Sequence, residues 1–418
     1  MKRIPFFFMV LALNNAGLAG EPSVKTGIEV LRERGFDILR GKHVGLITNP
    51  TGVDRSLRST IDILHQAHDV TLMALFGPEH GVRGDHSAGE SVASYTDPQT
   101  GIPVYSLYGK TRKPTREMLR GIDVLVYDIQ DIGCRSYTFI GTMGHAMEAA
   151  AEQNISFVVL DRPNPLGGLS IEGNLVEKEY RSDVSPYPIP YVYGLTCGEL
   201  ATLINNEGML ENGVRCSLTV VPMEGWRREM LFRDTGLEWV PTSPHIPSED
   251  TPMYYVGTGI LGELQVISEG VGYTIPFRTF GAEWIDPTAL ANRMNALNLK
   301  GVRFRPMTYK PFYGVHQGKV LHGVQIYIDK GTDADLMSLQ FLFLQAHNEL
   351  YPDRNPFRMA GKDRLRMFDK VVGTGLIREK FSQSMSFTSI REILGKDAEG
   401  FRKMARKYYL YPERAQRN

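Results

Sequence analysis

The sequence has few cysteines and no excess of charge of either sign. Three of its 418 residues are cysteine, at positions 134, 197 and 216, which is too few for a disulfide scaffold, and the odd count leaves at least one thiol free. Lys and Arg total 47, as do Asp and Glu, so the formal net charge is zero. A neutral chain has no overall field to hold nucleic acid. Its 42% hydrophobic content excludes a disordered chain, and its length predicts two domains.

Long apolar runs are missing beyond the N-terminus. Lys2 and Arg3 precede an apolar stretch at 6–13 and small residues at 16, 17, 19 and 20, which is the layout of a secretory signal peptide over residues 1–20. An uncleaved membrane anchor is the alternative, but the run is shorter than the ~20 residues that a span requires. No cysteine near the cleavage point offers a lipid attachment site. We therefore expect an exported protein, periplasmic or extracellular, without a membrane anchor.

Short β-rich runs alternate with helical stretches from residue 44 to about 221. The predicted strands are 44–48, 70–76, 103–107, 124–128, 157–160 and 218–221, and the predicted helices are 56–67, 114–119, 138–153 and 198–206. Most of the strands are continuous apolar runs, as expected of strands buried on both faces of a parallel sheet. The alternation predicts a doubly wound α/β sheet.

A proline-rich segment at 240–248 separates this region from the remainder of the chain. It cannot continue a helix or a central strand, so we place the domain boundary there. The N-terminal domain is predicted over 21–245 and carries most of the site. A smaller α+β domain over 246–418 is predicted from a strand at 323–328 and helices at 287–297, 336–348 and 397–408, and would close a cleft over the first domain.

The loops after the predicted strands combine carboxylates with arginines. Ligands of open α/β sheets bind beyond the carboxyl ends of the strands. Turn formation explains asparagine, proline and glycine in these loops, but not three carboxylates, Glu79, Asp128 and Asp161, arriving together with arginines. The candidate substrate-binding residues are Asn49, His80, Arg83, Gln130, Arg135, Arg162, Asn164 and Tyr193.

These carboxylates differ in how strongly they indicate function. Asp128 and Asp161 end their strands, where a carboxylate equally well accepts N–H groups of the next turn. Glu79 stands in a glycine-flanked loop that needs no cap, which favours a functional role. His80 could orient Glu79, bind a sugar hydroxyl or pair locally. Glu269, in the glycine-rich stretch 268–277, either closes the cleft from the second domain or is a solvated turn residue.

Other chemistries lack their motifs. The sequence has no dinucleotide or Walker fingerprint, no Gly-x-Ser-x-Gly elbow and no His-x-x-x-His pair, so we expect no cofactor and no metal. Two acids flanking a bond are the minimum for glycoside cleavage. Tyrosines near the predicted loops could stack on sugars or simply pack; they are Tyr95, Tyr105, Tyr108, Tyr137, Tyr191 and Tyr193.

Six runs of the chain resemble the secreted exo-β-N-acetylmuramidase family (NamZ-type), formerly a domain of unknown function. They are 45–52, 76–84 (Phe-Gly-Pro-Glu-His-Gly-Val-Arg-Gly), 128–133, 160–165 (Leu-Asp-Arg-Pro-Asn-Pro), 235–239 and 268–270. The resemblance implies a Rossmann-like domain, a smaller C-terminal domain and an active site in the cleft between them. It also implies release of N-acetylmuramic acid from the non-reducing end of peptidoglycan fragments.

On this resemblance Glu79 is the leading catalytic residue, with Asp128, Asp161 and Glu269 as candidate second carboxylates. The 2-acetamido group of the substrate could replace that second carboxylate. Family members commonly carry Arg-His where this chain has Val192-Tyr193, and Arg where it has Val271; an arginine or histidine is the natural partner of a muramic acid carboxylate. The alternatives are a non-catalytic cell-wall sugar-binding protein that uses the same cleft and, less favoured, a metal-dependent hydrolase.

Overall fold

A computed structural model of the chain describes residues 24–79, 81–84, 94–109, 111–329, 331–332 and 334–413. The predicted signal peptide and His80 lie outside the described residues. Within these ranges no helix is both long and apolar enough to cross a bilayer. The three cysteines are buried and form no disulfide.

The described strands form two sheets. In chain order they are β1 (Lys42–Thr48), β2 (Val70–Gly77), β3 (Tyr95–Thr96), β4 (Pro103–Ser106), β5 (Val124–Asp128), β6 (Ser156–Leu160), β7 (Leu218–Val221), β8 (Thr279–Ala282), β9 (Val302–Tyr309) and β10 (Leu321–Ile328). The larger sheet has the order β3-β4-β2-β1-β5-β6-β7 and is parallel except for β3. This order confirms the predicted doubly wound α/β architecture. The smaller sheet, β8-β10-β9, is antiparallel.

The described α-helices lie on both faces of the larger sheet and around the smaller one. They are α1 (Gly27–Glu33), α2 (Thr60–His65), α3 (Phe139–Gln153), α4 (Cys197–Asn206), α5 (Thr251–Gly262), α6 (Pro287–Asn295), α7 (Leu339–Leu350), α8 (Pro356–Met359), α9 (Lys362–Val372), α10 (Leu376–Ser384), α11 (Arg391–Gly395) and α12 (Ala398–Ala405).

Strand β5 shows why the central strands are apolar throughout. Val124 and Val126 face the core that packs against α1 and α2, whereas Leu125 and Tyr127 face the core that packs against α3 and α4. Because successive side chains of a strand point to opposite faces, a strand with helices on both sides has no solvent-facing position. The continuous hydrophobic runs in the sequence record this arrangement.

Two predicted helices differ from the structure. The prediction at 114–119 was wrong, because that stretch forms turns. Pro114 and Leu119 are buried, but the residues between them are exposed or partly exposed, and so short a segment gains too little from packing to nucleate a helix. The helix predicted at 56–67 begins later, at Thr60. Asp54 accepts the main-chain N–H groups of Ser56 and Arg58 at 2.9 and 3.0 Å, which folds the preceding residues into a turn.

The last helix returns to the larger sheet. Phe401 and Ala405 of α12 are buried in the core formed by α3 and α4. The Tyr411 hydroxyl donates to Asp161 at 2.5 Å, and the Leu410 N–H donates to Glu199 at 2.8 Å. The C-terminal segment therefore connects the second half of the chain to the first through these contacts.

Candidate active site

Glu79 follows β2 at the carboxyl edge of the larger sheet, in a turn closed by the Gly81 N–H and the Pro78 carbonyl at 3.1 Å. It is half-buried and forms a hydrogen bond with the side chain of Tyr108, which follows β4. Burial raises the pKa of Tyr108, and the charge of Glu79 and this hydrogen bond raise it further. Glu79 lines a cavity of about 190 Å³.

The walls of this cavity come from both halves of the chain and from the segment between them. Besides Glu79, the lining residues are Ser136, Tyr137, Thr138 and Phe139 around the start of α3, Ser243, Pro244, His245 and Ile246 of the proline-rich segment, Tyr255 of α5, and Phe277. Both halves of the chain therefore border this cavity, with Glu79 on its wall.

Aromatic rings and hydroxyls alternate in the cavity wall. Tyr255 packs edge-on against Tyr137 and Phe277, with ring centroids 6.1 and 4.9 Å apart. The Tyr137 hydroxyl donates to Thr242 Oγ1 at 2.8 Å, and the Tyr255 hydroxyl lies 3.0 Å from Ser136 Oγ. Apolar ring surface with a few placed hydroxyls suits a sugar, which presents C–H faces and polar edges.

Asp131 is a second carboxylate near this wall that the sequence did not single out. Its Oδ2 accepts the Gly133 N–H at 2.8 Å and the hydroxyl of Tyr193, while its Oδ1 is buried without a hydrogen-bond partner among the described residues. Burial raises the pKa of Asp131 to about 6. Burial also raises the pKa of Tyr137, and the negative charges of Asp131 and Glu79 raise it further. Tyr137 is thus within electrostatic range of both acids.

The predicted candidate Asp128 is paired with another predicted residue, Arg162. The Arg162 guanidinium donates to both carboxylate oxygens of Asp128, at 2.5 and 3.0 Å, and both side chains are buried. Thr60 Oγ1 also donates to Asp128 at 2.5 Å, and Arg162 reaches the Val53 carbonyl at 2.8 Å. This geometry favours the structural alternative for Asp128, because its acceptor positions serve neighbouring loops.

Asp161 has a comparable environment at the end of β6. It accepts from Thr196 Oγ1 at 2.7 Å, from the Gly198 N–H at 2.8 Å and from Tyr411. Burial raises the pKa of Asp161 to about 6, and these donors oppose that rise. The carboxylate therefore joins the N-terminal turn of α4 to the C-terminal segment, again as the structural alternative expects.

The predicted amide residues also bind the protein's own main chain. Asn49 Oδ1 accepts the Thr51 N–H at 3.0 Å, Gln130 Nε2 donates to the Pro163 carbonyl at 2.7 Å, and Asn164 Nδ2 donates to the Leu195 carbonyl at 2.9 Å. Tyr193 is buried against Asp131 as described above. The loops after β1, β5 and β6 do lie close together, as predicted. Their polar groups, however, form hydrogen bonds with one another and with the main chain.

Neither Arg83 nor Arg135 directs its guanidinium into the cavity. Arg83 makes a bidentate pair with Asp97, at 2.7 and 3.0 Å, and reaches Asp62 at 3.1 Å, which anchors the loop that carries Glu79. Hydrogen bonding to Asp97 raises the pKa of Arg83. Arg135 is buried and donates to four carbonyls at 2.7–2.9 Å, two in each half of the chain; they belong to Asn174, Ile189, Val371 and Val372.

Glu269 lies against α5 rather than in the cavity wall. An ideal Cβ at Gly262 would be 2.9 Å from the Glu269 Cδ, so only glycine leaves room for this carboxyl group. Gly262 and Tyr255 are seven residues apart and share a face of α5, which places Glu269 about 10 Å along the helix from the cavity. Burial raises the pKa of Glu269 to about 7.

A larger cavity, of about 740 Å³, lies on the other side of α5, where Met253 and Val256 line it. None of the predicted site residues lines it. Two of its four carboxyl groups, Glu172 and Asp335, lie close together. Glu172 accepts from Ser170 Oγ and from the Met337 N–H, each at 2.8 Å. Burial and the neighbouring Asp335 raise the pKa of Glu172. We place the candidate active site at Glu79, because the larger cavity lacks the strand-end position and the aromatic wall.

Sequence reasoning missed the wall residues His245, Tyr255 and Phe277. The proline-rich segment was interpreted only as a boundary, although a segment that joins two domains necessarily borders the cleft between them. The part of the chain that the structure describes holds no group of three or more His, Cys, Asp or Glu side chains placed to bind a metal ion.

Comparisons with known proteins agree along most of the chain. Residues 44–250 match the family model described as exo-beta-N-acetylmuramidase NamZ, N-terminal, and residues 253–411 match its C-terminal counterpart. The peptidoglycan beta-N-acetylmuramidase NamZ of Bacillus subtilis (strain 168) is 46% identical over 393 residues, covering 94% of this chain and 92% of that protein.

Two crystal structures of DUF1343 family proteins from Bacteroides fragilis NCTC 9343 are similar to this fold. One is 57% identical with a TM-score of 0.89 and covers 93% of this chain and 99% of its own. The other is 27% identical with a TM-score of 0.74 and covers 94% and 99%.

Proposed function

The chain belongs to the exo-β-N-acetylmuramidase NamZ family, and we propose that it is an exo-acting glycoside hydrolase that releases N-acetylmuramic acid from the non-reducing end of peptidoglycan fragments. The family match over both halves of the chain and the 46% identity to the Bacillus subtilis enzyme support this activity. The activity belongs to cell-wall turnover.

The observation that carries the proposal is the position of Glu79 in the wall of a cavity of about 190 Å³ between the two halves. Sites for drug-sized ligands are larger, at roughly 300–1,000 Å³, so this cavity accommodates about one sugar ring. A cavity of that size suits an enzyme that removes sugars singly from a chain end. Tyr137, Tyr255 and Phe277 supply its ring surfaces.

In the proposed reaction Glu79 is the general acid/base. As the acid it protonates the glycosidic oxygen while the bond to the anomeric carbon breaks, and as the base it later takes a proton from the attacking water. Tyr108, which hydrogen-bonds to Glu79, orients the carboxyl group. The second role, at the opposite face of the anomeric carbon, falls to the substrate's acetamido group or to a second carboxylate, for which Asp131 is the candidate near the cavity wall.

We also propose that the protein acts outside the cytoplasm, in the periplasm or extracellularly. The charged start, short apolar stretch and small residues of positions 1–20 support export. Peptidoglycan lies in that compartment. Cell fractionation of the native protein tests this proposal, and a product confined to the cytoplasm with residues 1–20 retained would contradict it.

Release of muramic acid from an N-acetylmuramic acid–N-acetylglucosamine disaccharide tests the activity. Purified protein lacking residues 1–20 should release the sugar with or without EDTA. Glu79→Gln should reduce kcat by at least 100-fold, because general acid–base catalysis contributes about 10²–10⁴-fold. Glu117→Gln, an exposed site outside the cavity, is the matched control and should match wild type.

Three outcomes would contradict parts of this proposal. Near-normal turnover by a folded Glu79→Gln protein would remove Glu79 from the chemistry. A wild type that binds the disaccharide but never cleaves it, with an affinity unchanged by Glu79→Gln, would favour the sugar-binding alternative. Activity abolished by EDTA and restored by a divalent metal would indicate a metal-dependent hydrolase.

A further inference from the structure

The turn between β9 and β10 exposes a cluster of apolar side chains. Phe312 is 58% exposed, Tyr313 38%, Val315 58% and Val320 50%. We call residues 310–320 the hairpin tip. Neighbouring apolar side chains that remain in solvent mark an interaction surface more often than isolated ones do, so the hairpin tip needs an occupant.

The hairpin tip contacts a residue of the Glu79 cavity wall. The Tyr313 ring is stacked on the imidazole of His245, with centroids 5.9 Å apart and an interplanar angle of 13°. His245 itself lines the cavity together with Glu79. Phe312 adjoins Tyr313, with centroids 5.3 Å apart. The aromatic surface therefore continues from the cavity wall through His245 and Tyr313 to Phe312.

Contacts with the Glu269 loop hold the hairpin tip in place. The Phe312 N–H donates to the Gly272 carbonyl at 2.8 Å, and the Phe312 ring lies 6.4 Å from that of Tyr273. Gly272 has a φ of +94°, and a Cβ there would be 2.2 Å from the Tyr313 carbonyl oxygen. Only glycine permits this approach. The exposed rings are thus fixed before any ligand arrives, which lowers the entropic cost of binding.

Space in the cavity determines where the rest of a substrate must lie. The cavity accommodates about one sugar, so a saccharide whose terminal residue is inside continues across the rim after the scissile bond. The aromatic surface on that rim suits the C–H face of a sugar ring. The hairpin tip carries two lysines, Lys310 and Lys319, and Lys319 is paired with Glu283 at 2.9 Å.

We propose that the hairpin tip is the subsite for the saccharide on the reducing-end side of the scissile bond, with the Phe312 ring as its stacking platform. This inference rests on the proposed function and adds the position of the leaving sugar to it. Such a contact exists in the ground state and the transition state alike, so its loss raises KM more than it lowers kcat.

Two substrates separate this subsite from the catalytic centre. One is the N-acetylmuramic acid–N-acetylglucosamine disaccharide; the other is methyl β-N-acetylmuramide, which has no second sugar. Phe312→Ala should reduce kcat/KM for the disaccharide by about 5- to 30-fold, mainly through KM, because one stacked apolar face is lost. For the methyl glycoside kcat/KM should change less than about twofold. Phe312→Tyr, which keeps the ring, should retain activity on both.

Tyr327→Ala is the matched control. Tyr327 is also an exposed aromatic residue, 40% exposed, but it pairs with Arg303 at the other end of the same hairpin, about 20 Å from the tip. The Tyr327→Ala variant should have the wild-type kcat/KM for both substrates. Phe312 is exposed, so its replacement should not impair folding.

The outcomes distinguish this inference from the function on which it rests. If wild type hydrolyses neither substrate, the proposed function fails and this inference with it. If wild type cleaves both and Phe312→Ala leaves their ratio unchanged, only the subsite is refuted. An unchanged ratio together with a Phe312→Ala shift from dimer to monomer in sedimentation velocity would assign the hairpin tip to contact between copies of the chain.

Discussion

At the scale of single residues, the carboxylates of the sheet edge divide by what surrounds them. Asp128 and Asp161 are fully enclosed and each accepts three or more hydrogen bonds from the protein. Glu79 is half-buried on a cavity wall. Sequence position alone could not separate them, because all three follow apolar strands in loops that also contain arginine.

This division predicts that Asp128→Asn affects stability more than chemistry. The substitution removes the negative partner of the buried Arg162 guanidinium, and a buried pair broken on one side typically costs about 3–5 kcal/mol. Urea denaturation should show that loss in the free energy of unfolding. Glu79→Gln, measured in parallel, should change it by less than about 1 kcal/mol.

Normal stability of Asp128→Asn combined with a large loss of kcat would contradict the structural role and return Asp128 to the catalytic candidates. Arg162→Lys should be intermediate, because a lysine keeps the charge but cannot form the two-point contact.

At the scale of elements, the sequence analysis was incomplete for α5 and α12, the first and last helices of the C-terminal half. Helix α5 was not predicted, since a helix apolar on nearly all sides lacks the one-sided pattern of a surface helix. Helix α12 was predicted, but the core against which it packs was not. Its amphipathic pattern requires a partner and does not say which core supplies it.

We predict that Phe401→Ala destabilises the larger domain. Phe401 is 2% exposed and packs in the core of α3 and α4, and truncation of a buried phenylalanine costs about 3–5 kcal/mol. Urea denaturation measures the loss, with Lys403→Ala, an exposed site on the same helix, as the control. Equal stability of the two variants would show that α12 does not hold the C-terminal segment in solution.

At the scale of the whole molecule, buried acids and a buried arginine join the two halves. Arg135 bonds to carbonyls of both halves, and Tyr411 brings the chain end to Asp161. Burial raises the pKa of Asp131 and Asp161 to about 6 and that of Glu269 to about 7. Such groups remain protonated to a higher pH in the folded state than in the unfolded state.

The sign of the pH dependence follows from these raised values. An acid that is protonated when folded but ionised when unfolded favours the folded state at low pH, so stability should fall as pH rises from about 4 to about 7. Glu269→Gln, which mimics the protonated group, should flatten this fall and increase the free energy of unfolding at pH 7 by about 1–3 kcal/mol.

Urea denaturation at several pH values measures this effect, and Glu117→Gln is again the control. A Glu269→Gln protein with the wild-type slope between pH 4 and 7 would show that the Glu269 carboxyl group titrates normally in the folded state.

Local patterns in the sequence were enough to predict the doubly wound sheet, most of its strand bounds and Glu79 as the leading catalytic candidate. Apolar runs, turn residues and a carboxylate in a glycine-flanked loop are properties of neighbouring residues, so a single sequence displays them. The match to a known family added the expected reaction.

Only the tertiary structure decided which polar groups bind one another and which face a cavity. Thr60 and Arg162 reach Asp128 across 68 and 34 residues, and the wall around Glu79 takes Tyr255 and Phe277 from the other half of the chain. Hydrogen bonds and ring contacts act over a few ångströms whatever the sequence separation. Their partners are therefore determined only when the chain has folded.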